Sequence, residues 1–596
     1  MPASPSDGGD AVARLVVKSD GNEAAEPLQL IALTIARAAN KVPSARLVLA
    51  DGDMAERTFP LSDSAFFKPG AVISISAGYG LEDAPLFEGV VVSQALSIEG
   101  DNDARLVVEC RDKAIAMTLG RRNANHVDLT DSAIVESLIG RYGLKADVEA
   151  TASEHPIVAQ HFCTDWDFML ARAEANGQLV AVQDGSVAVR APVVAGDAVL
   201  AVEYGNDLIE FEAELDARSQ LASAQGFAWD PAGQALLEGS SASPATFTKQ
   251  GDLDSATLAK VIGLDSFVLQ SGAPQSRDSL EAWAKAQQLK AGMARLRGRM
   301  RFQGHAAAQV GSLIEVKGVG GRFSGLVLVT AVEHEITDGN WLTEVRFGLD
   351  PQWFTARSDV AAPPAAGLLP PVAGLQVGVV MKLDASPDGE PKIQVRVPVL
   401  KAATEGIWAR VSKPFASSGF GMFFLPEVDD EVLLGYFADD PSHPVVLGSL
   451  YSSKRKPPCE LQAANDIKAI VTRSKHRIEF DEKDKVITIT TPGENKVVLS
   501  DKDKSILLSD MNGNTVRLGT GGIALDSPKD ITCTAKGAIT LDAVGAVTIS
   551  SKADVQAKGM NVSCQGQVGF KAEGAATAEL CASGQTTVRG AMVMIN

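Results

Sequence analysis

Residues able to do chemistry are present in this chain, but their spacings work against the reactions they could support. His334 and Glu335 begin the HExxH pattern by which a helix offers zinc two histidines and a catalytic glutamate. Asp338 stands where the second histidine belongs, and the flanking residues alternate as a strand rather than a helix. His155, His161, Cys163 and Asp165 are of the right types for a metal and lie close together in the chain. Their spacing matches no common site, and Cys163, beside Phe162 and ahead of a capped helix, reads as a core residue. Gly is nowhere followed by Lys, which removes the phosphate-cradling GxxxxGK[ST] loop, and the GxSxG elbow of serine hydrolases is absent. Carboxylates are plentiful, yet a glycosidase needs two at a set separation across a cleft, and no pair stands out. No catalytic, cofactor-binding or metal-binding residue is nominated.

Two charged runs complete the chemical inventory. Residues 481–485 and 501–504 alternate Asp or Glu with Lys, which interrupts the ligand pattern of a calcium loop and suits solvated turns. The formal charge is −19 over 596 residues. A threefold assembly would carry about −57, repelling nucleic acid and anionic membranes. The first twenty residues lack the basic start and apolar run of a signal peptide, and no stretch approaches a membrane span. Cytoplasmic synthesis is therefore expected. Six scattered cysteines without CxxC spacing read as small buried hydrophobes.

The elements that would position these residues are mostly strands. Residues 1–357 alternate strand-like runs with a few helices, expected at Ser132–Tyr142, after Thr164, and at Ser279–Arg297. The second would place Trp166, Met169, Leu170 and Ala173 on one face and stop at Gly177. Residues 358–372, with two Pro-Pro pairs, read as an extended linker. Residues 373–455 hold about five strand-like runs, the content of a small closed barrel, with Phe423, Phe424, Val432, Leu434, Tyr436 and Val446 as its alternating interior. An oligonucleotide or sugar site there would need a basic groove with exposed aromatics, whereas Glu427, Asp429, Asp430 and Glu431 are acidic, so the barrel reads as a structural collar. A connector at 456–466 follows.

Residues 467–596 read as one repeat. An apolar residue returns every eighth position at Ile523, Ile531, Ile539, Val547 and Val555, with a second two residues later at Leu525, Cys533, Leu541, Ile549 and Ala557. Side chains at i and i+2 share a strand face, so each octad is a short strand plus a turn. One chain cannot cover such a face, whereas three wound together would enclose a dry core. At ~4.8 Å per stacked strand, about sixteen octads from Ile467 would make a shaft roughly 80 Å long. The last residues, Met592, Val593, Met594, Ile595 and Asn596, would expose apolar side chains and strand edges, an association surface.

The segment from Gly419 to Tyr451 (GFGMFFLPEVDDEVLLGYFADDPSHPVVLGSLY) resembles the OB-fold barrel of the VgrG family, the spike proteins of type VI secretion and related contractile injection systems. Residues 161–180 (HFCTDWDFMLARAEANGQLV) and 331–349 (AVEHEITDGNWLTEVRFGL) carry matching marks, and the likeness covers essentially the whole chain. It implies a mainly β protein: a phage-hub-like domain of two barrel-like subdomains with helical inserts, an OB-fold barrel, and a C-terminal triple-stranded β-helix formed by a homotrimer. It also implies inner-tube and baseplate partners at the hub, a PAAR-type tip protein at the C-terminal end, effector cargo, and a target membrane pierced mechanically. The protein would be assembled into the injection particle and released or translocated with it, and no cofactor is implied. With no toxin-like extension, two other classes stay open: a spike with an enzymatic activity against the target envelope, and a phage-type trimeric receptor-binding fibre.

Overall fold

The computed structural model describes residues 2–8, 12–79, 83–100, 103–245, 247, 249–401 and 406–595. The chain divides into two compact units, residues 1–450 and 451–596.

The first unit is built on a sheet of thirteen strands. Its middle is a long-range pairing, Leu30–Ala38 antiparallel to Gly325–Thr337, with Ile35 opposite His334. That pairing joins two apolar cores. One gathers Leu33, Ile35, Leu47, Ile73, Ile75 and Leu106, and the other Met300, Phe302, Ile314, Val327, Val345 and Phe347, all essentially inaccessible. Strict alternation drives this arrangement. In Leu30–Ala38, for example, Leu33 and Ile35 turn inward while Thr34 between them does not.

Four α-helices are inserted among the described residues. Helix α1 (Asp131–Gly140) is capped by Thr130, whose hydroxyl accepts from the Ala133 amide at 3.3 Å. Helix α2 (Asp165–Ala175) is capped by Thr164, which accepts from Asp167 at 3.0 Å, and the chain leaves it through Gly177 at φ +70°. Helix α3 (Ser255–Ile262) has no counterpart in the sequence reading; its signals are the Asp254 cap and Gly263 at φ 72°. Helix α4 (Arg277–Ala294) is capped by Ser276 and buries mostly small residues, including Ala284, Ala291 and Ala294, beside Leu280 and Met293. Leu296, expected on this helix, instead starts the strand Leu296–Gln303.

The barrel closes through five strands, Gln376–Lys382, Lys392–Arg396, Ile407–Val411, Glu431–Tyr436 and Pro444–Ser449. Val432, Leu434 and Val446 fill it, with Tyr436 packed against that core. Phe423 and Phe424 do not: they are 83% and 55% exposed. A two-strand hairpin, Ala416–Ser417 with Phe420–Gly421, carries the chain off the barrel before them. Two adjacent residues cannot both face inward on a strand, and the fifth strand of the barrel is Pro444–Ser449. The linker is not wholly extended either: it turns at Pro364–Gly367, where Ala365 and Ala366 are left-handed (φ 51° and 53°) and Ala365 is buried.

The second unit departs from the octad expectation in its first half. Residues 467–526 form a seven-stranded antiparallel meander of five-residue strands: Ile467–Val471, Arg477–Asp481, Val486–Thr490, Lys496–Ser500, Ser505–Ser509, Thr515–Gly519 and Gly522–Asp526. Left-handed residues at Lys475, Lys485, Glu494, Lys504 and Gly513 reverse the chain between strands. Strand plus reversal takes nine or ten residues rather than eight at most of these turns, and it lets the chain satisfy its backbone by pairing with itself.

Candidate assembly surface

Six of the seven meander strands offer two apolar side chains to one face and the first offers Ile470 beside Lys468, and the pairing register stacks them into columns. One column runs Ile470, Ile478, Ile489, Val497, Leu508, Val516, Leu525; the other runs Phe480, Ile487, Leu499, Ile506, Leu518, Ile523. The opposite face carries residues such as Glu479, Thr488, Ser505 and Arg517. A two-column apolar face over seven strands is normally covered, yet here Ile470, Ile489 and Leu508 keep 46%, 42% and 42% of their surface open. Covering about a dozen such side chains is worth roughly 10 kcal/mol per chain at ~25 cal/mol per Å².

The columns lead straight into the octads, because Ile523 and Leu525 sit on the last meander strand. Beyond it the chain has no strand partner of its own among the described residues. It bends at 528–529, 536–537, 544–545 and 552–553, a spacing of eight. Ile531, Ile539, Leu541, Val547, Ile549 and Val555 are all exposed, Ile539 at 60% and Leu541 at 74%, and Cys533 and Ala557 are exposed too. These side chains are in series along the chain with nothing from the same chain over them.

The next bends fall at 560, 567–568, 575–576, 583–584 and 591–592. One turn is thus a residue shorter, and the apolar pairs slip to Val562 and Cys564, Phe570 and Ala572, and Ala578 and Leu580, with Val588 at the second position of the next repeat and Thr586 at its first. Sequence reasoning stopped at Ala557, where the strict eight-residue count breaks; allowing one seven-residue step would have found them. Met592, Val593, Met594 and Ile595 are likewise exposed, at 79%, 50%, 78% and 91%, and Asn596 lies outside the described residues.

The chemistry-bearing residues are absorbed structurally. His334 is buried between strands, bonded through Nδ1 to Thr343 Oγ1 (2.9 Å) and to the Trp341 indole N–H (3.3 Å), while Glu335 pairs with Arg301. His155 Nε2 lies 3.1 Å from Asp131 Oδ2, and Arg172 holds the same carboxylate at 2.6 Å. Burial opposes ionisation of Asp131, but hydrogen bonds from Arg172, Asn176 and His155 outweigh it and hold the group below the usual carboxylate range. Asp165 is fully buried and accepts from Arg141 (2.7 Å), Tyr142 (2.9 Å) and Gln160 (2.8 Å). Cys163 is half-buried with its thiol pushed up by burial, and His161 is exposed. These four are not brought together, and no group of three metal-type ligands occurs among the described residues. The charged runs fall at turns, where Lys502 Nζ meets Asp484 at 2.7 Å.

Burial, with the nearby charges of Arg37 and His305, drives His334 down from 6.5 to about 3. Below the ordinary value the unfolded chain takes up a proton there that the folded chain refuses. This residue's contribution to stability is therefore complete above about pH 6.5 and is lost as pH falls toward 3. In thermal unfolding between pH 7 and 4, His334→Gln is expected to show a shallower fall of the midpoint than the parent. Parallel curves would mean the histidine titrates normally.

Residues 9–338 match the family model described as Alg8 N-terminal domain. Residues 376–451 match the type VI secretion system/phage-baseplate injector OB domain, and residues 486–554 the phage baseplate V C-terminal trimerisation domain. The type VI secretion system spike protein VgrG1a of Pseudomonas aeruginosa is 32% identical over 56 residues, 9% of this chain and 9% of its own length. VgrG1c of the same organism is also 32% identical over 56 residues, 9% of this chain and 8% of its own, so the chain spans under a tenth of these curated relatives. A 43 kDa tail protein of a Shewanella oneidensis prophage aligns with a TM-score of 0.42 at 12% identity, covering 57% of this chain and 98% of that one. A component of the Escherichia coli type VI secretion system aligns at 0.37 and 12% identity, covering 73% and 99%. Both scores lie below 0.5, and family membership stands on the sequence matches alone.

Proposed function

We propose that this chain, which belongs to the Alg8 N-terminal domain family and carries sequence matches to the phage-baseplate injector OB domain and the phage baseplate V C-terminal trimerisation domain, is a VgrG-type spike protein of which three copies form a hub and shaft that transmit force mechanically, making and breaking no bond. The observation that carries this reading is the two-column apolar face continuing into unpaired octads. Three copies turned face to face would bury those columns, and each unpaired run would find its backbone partners on the neighbouring chains. Ile523, Leu525, Ile531, Cys533, Ile539, Leu541, Val547, Ile549, Val555 and Ala557 would form the core of that shaft. Strand ladders passing from chain to chain leave little local freedom, which suits a piercing element.

Within this reading the first unit meets inner-tube and baseplate proteins, and the exposed Met592–Ile595 segment receives a PAAR-type tip protein. Effector cargo travels with the particle, which is assembled from cytoplasmic protein and then released or translocated. Light scattering on the purified protein is expected to give three times the chain mass of 62.4 kDa, independent of dilution. A single-chain mass with full β content by circular dichroism would defeat the proposal.

A further inference from the structure

The acidic residues that argued against a ligand on the barrel are not on the face where such a ligand would sit. Glu427, Asp429 and Asp430 form the loop before the fourth barrel strand, where the Asp429 amide and the Asp430 carbonyl bond to Val380 of the first. The second and third strands, with the loop between the fourth and fifth, instead frame a groove of about 410 Å³ lined by Lys392, Trp408, Arg410, Phe437 and His443 among others.

Lys392 and Arg410 are directly opposed across the antiparallel pair, on the outer face, since their neighbours Ile393 and Ala409 are buried inside. Like charges placed opposite each other destabilise a sheet unless something bridges them. Lys392 has Asp388 as partner. The Arg410 guanidinium has no hydrogen bond or ion pair among the described residues. Trp408 lies two residues from Arg410 on the same face, and Phe437 faces it with 52% of its surface open. A free fork of donors, a second cation and an aromatic platform together suit a flat, partly apolar molecule bearing a carboxylate.

We propose that this groove binds an oligosaccharide with one carboxylate per repeat, the carboxylate bridging Lys392 and Arg410 and a sugar ring lying on Trp408. OB-type barrels use this strand face and these loops for oligosaccharides and oligonucleotides alike. Charge distinguishes the two here: Asp388 pairs with Lys392, and Asp440 lies 3.8 Å from His443, so carboxylates stand beside groove residues of the second strand and of the loop between the fourth and fifth. A strand with a phosphate at every nucleotide would meet these carboxylates, whereas a sparsely charged glycan would not. The inference concerns the barrel and does not depend on threefold assembly.

Calorimetric titration of the intact protein would use a hyaluronan tetrasaccharide, neutral chitotetraose and a thymidine tetranucleotide. The hyaluronan fragment is expected to bind saturably and the other two at least about tenfold more weakly. Arg410→Gln and Trp408→Leu should each lower hyaluronan affinity about tenfold or more. Unchanged light-scattering mass and thermal midpoint show that these outward substitutions leave the fold and assembly alone; if Trp408→Leu unfolds, Arg410→Gln and Lys392→Met carry the comparison. No binding of the hyaluronan fragment at millimolar concentration, equal binding by Arg410→Gln, or tighter binding of the nucleotide would each overturn the proposal. The mass measurement reports separately on the trimer.

Discussion

Ile539→Asp is expected to abolish assembly, while Thr540→Asp next to it leaves assembly intact. Ile539 is 60% exposed in the single chain, so an aspartate there costs the isolated subunit nothing. In a threefold shaft, three carboxylates would enter one apolar layer with no cation in reach. The effective penalty is several kcal/mol for each buried charge, and the three also repel one another. Thr540 is adjacent to Ile539, and in an extended run it would point to the opposite side, away from the threefold core and into water. The measurement is mass by light scattering, with circular dichroism to show that the first unit stays folded. Equal behaviour of the two variants would show that the octad phase, and the face assigned to the core, are wrong.

Asp165→Ala is expected to destabilise the first unit by about 2–3 kcal/mol. The carboxylate is fully buried at the first turn of α2, and the substitution takes away the acceptor of Arg141 and Tyr142 and leaves Gln160 only the Cys163 carbonyl at 3.3 Å. Arg141, 37% exposed, can turn to water, so the cost falls on the less accessible Tyr142 hydroxyl and Gln160 amide and on the lost cap of charge at the helix start. Fluorescence of Trp166, buried beside Asp165, reports the transition. Adding zinc should move neither protein's midpoint, because His155 is held by Asp131 and Asp165 by Arg141, Tyr142 and Gln160, and no three metal-type ligands come together among the described residues. A loss below about 1 kcal/mol would show that the network is incidental, and a zinc-dependent shift would restore the metal reading.

Local signals were legible where a single segment contains the physics. Thr164 announced α2 because a hydroxyl ahead of an apolar stripe can satisfy the free amides of a first turn, and Thr164 accepts from Asp167. Asp254 and Gly263 are equally ordinary caps around α3, but eight residues of weak pattern between them drew no notice. In the barrel, Val432, Leu434 and Val446 could be picked out by alternation, whereas Phe423 and Phe424 looked identical in hydropathy and ended in solvent. The difference lies in the hairpin at Ala416–Gly421, which removes that stretch from the barrel wall.

The sequence alone determined the eight-residue period from Ile523 to Ala557, because side-chain direction along an extended chain follows residue count and nothing else. It also carried the order of hub, barrel and repeat through long matching segments. The tertiary structure alone decided that residues 467–526 pair with themselves, that Lys392 faces Arg410, and that His334 is sealed between Thr343 and Trp341. Each of these is a choice of partner strand. Periodicity states which residues share a face; which other strand that face meets depends on turn geometry and on pairings between distant residues, such as Ile35 with His334, and no local pattern encodes those.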